Sequence, residues 1–120
     1  MTPHLLAGFN KTPVFVYEFA QAPPDKPDFP NYGAFHTSEV PYALHTLHTW
    51  KRPWRPIDQE IENRMSSYWV NFAKTGNPNG ANLPEWKSYD QATGHILRIA
   101  EQTSTQPAYM KEAFDFLEAI

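Results

Sequence analysis

The 120-residue sequence contains no cysteine. This absence excludes a disulfide framework, a thiolate zinc site and a cysteine nucleophile, and it leaves the redox compartment open. Basic residues are also sparse: there are ten against thirteen acidic ones, for a net charge of −3, and their longest run is Lys51-Arg52. We therefore expect neither a nucleic-acid partner nor an anionic membrane surface as a partner.

Long hydrophobic runs are absent as well. No stretch approaches the roughly 20 residues that a membrane span needs, and residues 1–9 lack the basic and apolar regions of a signal peptide. We expect a soluble chain that forms one segment over residues 1–120, by the usual relation of length to domain number. The sequence does not distinguish a cytoplasmic from a secreted location.

Aromatic residues and prolines are abundant, which is typical of a globular protein with many pinned loops. Pro13 to Ala20 is β-branched or aromatic at nearly every position, and this predicts a strand buried on both faces in a parallel sheet covered by helices. Residues 21–32 carry four prolines, which predict a stiff, irregular loop leading to Gly33 and His36.

Asp58 to Thr75 has the clearest helical pattern in the sequence. We expect Asp58 to accept amide protons of the first turn, and Gly76 to end the helix in a left-handed conformation. Apolar residues recur at spacings of three and four and form one stripe, namely Ile61, Met65, Tyr68, Trp69, Phe72 and Ala73.

Two further elements are predicted towards the end of the sequence. His95 to Ile99 reads as a second short strand, after a loop in which Trp86 is a packing anchor. Met110 to Ile120 has apolar residues on one face, which predicts a closing amphipathic helix. The expected fold class is therefore α/β, with one or two core strands, a long amphipathic helix and a C-terminal helix.

One histidine lies in a short loop before a predicted helical turn, in Gly33-Ala34-Phe35-His36-Thr37-Ser38-Glu39. This segment resembles the histidine loop of the type-B carboxylesterases, the family of the cholinesterases and the para-nitrobenzyl esterases. Residues 68–79, with the sequence YWVNFAKTGNPN, resemble the helix and turn that follow in that family, and residues 84–89 resemble a later segment. In the family's order the three matches cover roughly residues 12–120, and the chain is similar to the C-terminal quarter of such an enzyme.

The resemblance implies part of an α/β-hydrolase that cleaves carboxylic esters, with serine, acid and histidine in that chain order. His36 falls where the catalytic histidine should. It would accept the serine proton as general base and return it to the leaving alcohol. The resemblance implies no cofactor and no metal, and the sequence does not reveal which acyl or alcohol group is preferred.

A nucleophile elbow, Gly-x-Ser-x-Gly, is missing from the sequence. Glycines stand only at positions 8, 33, 76, 80 and 94, and no serine has them at the required spacing. The acid of the triad should lie upstream of this segment. We therefore expect the chain to be inactive alone, to need the rest of a hydrolase domain, and to self-associate through its first strand or its terminal helix. The alternative is a standalone binding or structural module without catalysis.

Three other assignments remain open from the sequence. Asp25 or Asp28 could orient His36 by proximity, whereas Glu39 is interpreted as a loop-holding or capping residue in preference to the triad acid. His45 and His48, at helical spacing, could hold a metal together with His36. Four tryptophans suggest a sugar platform, for which only Trp50 and Trp54 would be exposed.

Overall fold

A computed structural model describes residues 12–25, 33–90, 92–107 and 116–117. Within them lie strand β1 (Tyr17–Phe19), helix α1 (Val40–Ala43), a 3₁₀ turn (Leu47–Thr49), helix α2 (Pro56–Thr75), strand β2 (His95–Ile99) and strand β3 (Ser104–Pro107). The chain divides into two compact units, one made of residues 1–18, 85–98 and 103–120 and the other of residues 19–84 and 99–102.

The three strands form one sheet in the order β1-β2-β3. The Leu97 N–H donates to the Val16 carbonyl at 2.9 Å, and the Ala20 N–H donates to the Ile99 carbonyl at 2.8 Å. Both strands advance in the same direction between these two bonds, so β1 and β2 are parallel. β3 runs antiparallel to β2, with residue 95 opposite residue 107.

Strand β1 is shorter and more exposed than its composition predicts. It covers three residues, of which the outer two are half-buried and Glu18 is exposed. The expectation of a strand buried on both faces is therefore wrong for this structure. Burial of both faces requires a covering layer on each side of the sheet, and the exposure of Glu18 shows that one face of β1 lacks such a layer in this structure.

In the first unit, Trp86 has the anchoring role that the sequence predicts. Its side chain is 5% exposed, and its indole N–H donates to the Val16 carbonyl at 3.1 Å. Its ring meets Phe15 and Tyr17 edge to face, at centroid distances of 5.9 and 6.1 Å. These contacts fasten the stretch before and within β1 to the loop that leads to β2.

In the second unit, helix α2 supplies the largest part of the core. Ile61, Met65 and Tyr68 are fully buried, as the apolar stripe predicts, but Phe72 at the far end of the stripe is 50% exposed. The helix ends at Gly76, whose φ of 79° is left-handed and whose N–H donates to the Phe72 carbonyl at 2.7 Å. Within the described residues, no helix combines the length and the apolar character that a membrane span would need.

The start of α2 differs from the sequence-based prediction. The helix begins at Pro56, with Arg55 as its N-cap, whereas Asp58 was expected to be the first residue. Proline is favoured in the first turn because that position has no intrahelical partner for an N–H. The predicted helix over residues 110–120 lies almost entirely outside the described residues; Phe116 and Leu117 are described and are 69% and 61% exposed.

Candidate active site

His36 lies in a tight turn that leads directly into α1. The Ser38 N–H donates to the Phe35 carbonyl at 3.0 Å, and the Val40 N–H donates to the Thr37 carbonyl at 3.2 Å. The His36 side chain is exposed. Among the described residues it forms no hydrogen bond or ion pair, so its imidazole is free to meet a group outside this part of the chain.

The residue after His36 has an unusual backbone. Thr37 has a φ of 69°, in the left-handed region that β-branched residues rarely adopt. Strain of this kind is concentrated at functional sites and persists where the surroundings fix the chain. The next side chain, Ser38, is fully buried, and its hydroxyl has no hydrogen-bond partner among the described residues.

The first end of the histidine loop is held by an aromatic and cationic contact. The rings of Phe35 and Trp50 lie nearly parallel, 6.5 Å apart between centroids and at an angle of 12°. The guanidinium carbon of Arg52 lies 5.6 Å from the Phe35 centroid and 5.9 Å from the Trp50 centroid. Arg52 Nη1 also donates to the Pro24 carbonyl at 2.8 Å. This geometry is that of a cation–π contact.

The second end of the loop is held through Tyr42 in α1. Tyr42 is fully buried, and its hydroxyl donates to Asp58 Oδ1 at 3.0 Å. Its ring contacts Phe19 at 5.0 Å and Trp54 at 5.9 Å between centroids. Burial and the neighbouring Asp58 carboxylate both raise the pKa of Tyr42 well above its usual value, so its hydroxyl stays a donor.

Asp58 is the centre of this hydrogen-bond network. Its carboxylate is fully buried and accepts the Arg55 backbone N–H at 2.9 Å, the Arg55 Nε at 2.9 Å and the Arg55 Nη2 at 3.0 Å. Burial by itself raises the pKa of Asp58, but the hydrogen bonds from Arg55 and Tyr42 lower it by more, and the net shift is downward. The same bonds raise the pKa of Arg55. The carboxylate is therefore paired and ionised.

The acids that could orient His36 are not engaged with it in the described residues. Glu39 occupies the N-cap position of α1, but its side chain makes no capping hydrogen bond, so capping by the Glu39 carboxylate is not observed. Its backbone carbonyl accepts the Ala43 N–H at 3.0 Å. Asp25 is exposed and makes no ion pair with His36, and Asp28 lies outside the described residues.

The histidine pair at 45 and 48 does not form a metal site. His45 has a φ of 57° after the end of α1, whereas His48 lies in the 3₁₀ turn, so the two do not share a helix. His45 Nε2 lies 3.8 Å from a Glu62 oxygen, and its Nδ1 lies 3.3 Å from the Ser66 hydroxyl. In the described part of the chain, no three histidine or acidic side chains could hold a metal ion together.

Trp50 and Trp54, the two rings suggested as a sugar platform, make contacts within the chain instead. The Trp54 indole N–H donates to the Leu47 and Trp50 carbonyls, at 2.7 and 3.1 Å, and its ring faces Tyr42. Trp50 stacks on Phe35. Both rings therefore hold the loops on either side of α1, and two coplanar exposed rings for a sugar are not present at these positions.

The residues that hold the two ends of the loop were not identified from the sequence as parts of the site. Arg52 contacts a residue 17 positions away in the chain, and Asp58 contacts one 16 positions away. Only the local signal at Asp58 was used, and it predicts a helix start. The pairing of that helix start with α1 depends on the tertiary fold.

Comparison with known proteins places the chain in a family. A family model described as the carboxylesterase family matches residues 3–117. The chain belongs to the carboxylesterase family. It is 30% identical over 102 residues to the cocaine esterase of Homo sapiens, and this match covers 82% of the chain and 17% of that protein. It is 35% identical over 109 residues to the acylcarnitine hydrolase of Rattus norvegicus, with 86% and 18% covered.

Solved structures agree with this assignment. A thermophilic PNB esterase superposes with a TM-score of 0.72 at 27% identity, covering 88% of the chain and 22% of that protein. An esterase from Clostridium hathewayi superposes with a TM-score of 0.78 at 19% identity, a likeness of fold alone, covering 98% and 23%. The chain thus has the fold of part of an α/β-hydrolase, and it spans about a fifth of the length of these relatives.

Proposed function

We propose that His36 is the general base of a serine esterase that cleaves carboxylic esters. It would take the proton from a serine hydroxyl as the oxygen attacks the ester carbonyl, and it would then give this proton to the leaving alcohol. A water molecule would then attack the acyl-enzyme in the same way. His36 would take the proton of the water and return it to the serine as the carboxylic acid is released. The nucleophile, the acid and the oxyanion hole would come from a part of the hydrolase domain that this sequence does not include.

The observation that supports this role is the state of the His36 side chain. It is exposed in a hydrogen-bonded turn, and no described residue occupies either ring nitrogen. The loop around it is fastened at Phe35 and at Tyr42. A general base needs this combination, because the imidazole must be held in place and both nitrogens must remain available for the serine and the acid.

The 120-residue chain by itself should not turn over esters. The missing serine and oxyanion hole provide most of the rate enhancement of such enzymes. With para-nitrophenyl acetate we expect no more hydrolysis than the same concentration of imidazole gives, and no loss on His36→Ala. Turnover far above that background, abolished by this substitution, would contradict the expected inactivity of the chain alone.

The catalytic role is tested in a chimaera in which this chain replaces the matching segment of a PNB esterase. We expect the chimaera to cleave para-nitrophenyl esters, and His36→Gln to lower kcat by about 10³-fold or more, as loss of a triad member does. His48→Gln, an exposed histidine in the 3₁₀ turn, is the matched control and should leave kcat unchanged. Equal effects of the two substitutions would show that His36 has no special role.

A further inference from the structure

We propose that Arg52 and Asp58 are positioning residues for His36, and that the segment between them fixes the histidine loop at both of its ends. We call residues 52–58 the anchor segment. The catalytic consequence rests on the proposed role of His36, whereas the physical effect on the loop does not. Neither residue touches the imidazole in the structure; each acts through a residue next to the turn.

The first anchor acts on the residue immediately before His36. Arg52 lies against the Phe35 ring, and Phe35 and Trp50 stack on each other, so three planar groups meet at this point. Arg52 is also tied to the Pro24 carbonyl at 2.8 Å. A planar guanidinium can stack and donate at the same time, which neither lysine nor a neutral amide of similar length reproduces fully.

The second anchor acts on the helix that follows the turn. Asp58 accepts from Tyr42 and from Arg55, and all of its oxygens lie in the buried interior. Arg55 in turn donates from Nη2 to the Ala22 carbonyl at 2.8 Å. Tyr42 is therefore hydrogen-bonded to a carboxylate that Arg55 holds in a fixed position. A buried polar network makes the structure rigid when its members are paired in this way.

The turn between the two anchors is short and hydrogen-bonded throughout. Bonds link Ser38 to Phe35, Val40 to Thr37 and Ala43 to Glu39. A shift of Phe35 or Tyr42 would therefore also move His36, because the turn between them has no flexible residues that could compensate for it. A shift of about 1 Å in a catalytic group can cost on the order of 100-fold in rate, and for this reason the anchors are expected to matter for catalysis.

The 120-residue chain tests the physical part of the proposal. Tyr42→Phe removes the hydroxyl that reaches Asp58 and keeps the ring. Tyr68→Phe is the matched control, because Tyr68 is equally buried and its hydroxyl also donates one hydrogen bond, to the Pro84 carbonyl at 2.6 Å, away from the histidine loop. Hydrogen exchange of single amides is measured by NMR in each variant.

We expect Tyr42→Phe to lower the protection of the Ser38 and Val40 amides by about five-fold relative to the Met65 amide, since one buried hydrogen bond is lost. Tyr68→Phe should lower all three together or not at all. A Tyr42→Phe variant with unchanged protection of Ser38 and Val40 relative to Met65 would overturn the proposal, because the anchor would then not hold the loop.

The chimaera with the PNB esterase tests the catalytic part. Arg52→Gln and Lys51→Gln each remove one positive charge at adjacent positions, and it is the Arg52 guanidinium that lies over the Phe35 ring. We expect Arg52→Gln and Tyr42→Phe to lower kcat by about ten-fold or more and to leave KM within about two-fold, because positioning of a base acts on the transition state. Lys51→Gln and Tyr68→Phe should leave kcat near that of the parent chimaera.

The two proposals fail in different ways. If His36→Gln leaves the chimaera active, the proposed function is wrong, and the exchange measurements alone decide whether the anchors hold the loop. If His36→Gln abolishes activity but Arg52→Gln and Tyr42→Phe leave kcat unchanged, His36 is the base and the anchor segment does not position it. A parallel rise of KM for all four substitutions would also overturn the positioning role.

Discussion

Single residues around His36 show that the loop is held in a costly conformation. Thr37 adopts a left-handed backbone, which costs a residue with a β-carbon roughly 1–2 kcal/mol. Ser38 buries a hydroxyl that has no partner among the described residues, which adds a desolvation cost of about 1–3 kcal/mol. Such costs persist only where neighbouring contacts fix the chain, and here those contacts come from Arg52 and Asp58.

Replacing Thr37 with glycine should stabilise the chain. Glycine adopts a φ near 69° without steric cost, although it gains freedom in the unfolded state, so we expect a net increase of about 1 kcal/mol in the free energy of unfolding. Urea denaturation followed by circular dichroism measures this change. Ala34→Gly is the control in the same loop and should be neutral or destabilising, since Ala34 has no positive φ. Destabilisation by Thr37→Gly would show that the threonine side chain contributes more than its backbone strain costs.

At the scale of residues, the sequence was sufficient to predict the turn that follows His36, whereas the catalytic role of His36 stays a prediction. The turn depends on neighbours within a few positions, which a sequence displays directly. The sequence was not sufficient to identify Arg52, Tyr42 and Asp58 as a support, because their contacts join residues 16 or more positions apart. The metal-site alternative at His45 and His48 failed for a related reason. Their helical spacing suggested a shared helix face, but the two residues do not lie on one helix.

At the scale of elements, prediction succeeded where the apolar pattern was strong. β2 has the predicted bounds, and α2 ends where Gly76 indicates. β3 was missed because Ser104 to Pro107 shows no alternation of apolar and polar residues, and it is recruited by pairing with β2. The start of α2 was placed two residues late, because Asp58 acts from inside the first turn and Pro56 begins the helix.

The first turn of α2 should make stability depend on pH. The pKa of Asp58 is lowered in the folded chain, so its contribution is complete above the ordinary aspartate value of about 3.9 and is lost as the pH falls through the lower folded value. Asp58→Asn should cost about 1–3 kcal/mol at pH 7, and the difference from the parent chain should shrink below pH 4. Thermal unfolding of both chains between pH 2.5 and 7 measures this difference in stability. Glu60→Gln, at an exposed site on the same helix, is the control and should change the free energy of unfolding at pH 7 by less than Asp58→Asn does. A constant cost of Asp58→Asn across this pH range would contradict the assignment.

At the scale of the whole molecule, large apolar side chains remain exposed near the C-terminal end of α2 and just after α1. Val70 and Phe72 are each 50% exposed, and Leu44 is 63% exposed. Exposed apolar surface can mark a place that another chain segment covers. The chain spans about a fifth of the length of its relatives, so the remainder of a hydrolase domain is one candidate cover and a second copy of the chain is another.

We predict that the isolated chain self-associates through exposed apolar side chains near the C-terminal end of α2, Phe72 among them. Light scattering coupled to size exclusion should show a mass that rises with concentration in the micromolar to millimolar range. Phe72→Glu replaces an exposed apolar side chain with a charge and should restore the monomer, whereas Gln59→Glu adds the same charge at an exposed position near the other end of the helix and should not. A monomeric parent chain at every concentration would refute self-association.

The indole of Trp86 also gives the first unit an optical reporter of its own. Its indole N–H donates a hydrogen bond to the Val16 carbonyl, and its ring contacts Phe15 and Tyr17. Trp50, Trp54 and Trp69 belong to the second unit. A Trp86→Phe variant leaves only the tryptophan emission of the second unit. Subtracting its spectrum from that of the parent chain isolates the tryptophan emission of the first unit. Fluorescence can therefore report whether the two units lose their structure in one transition or in two.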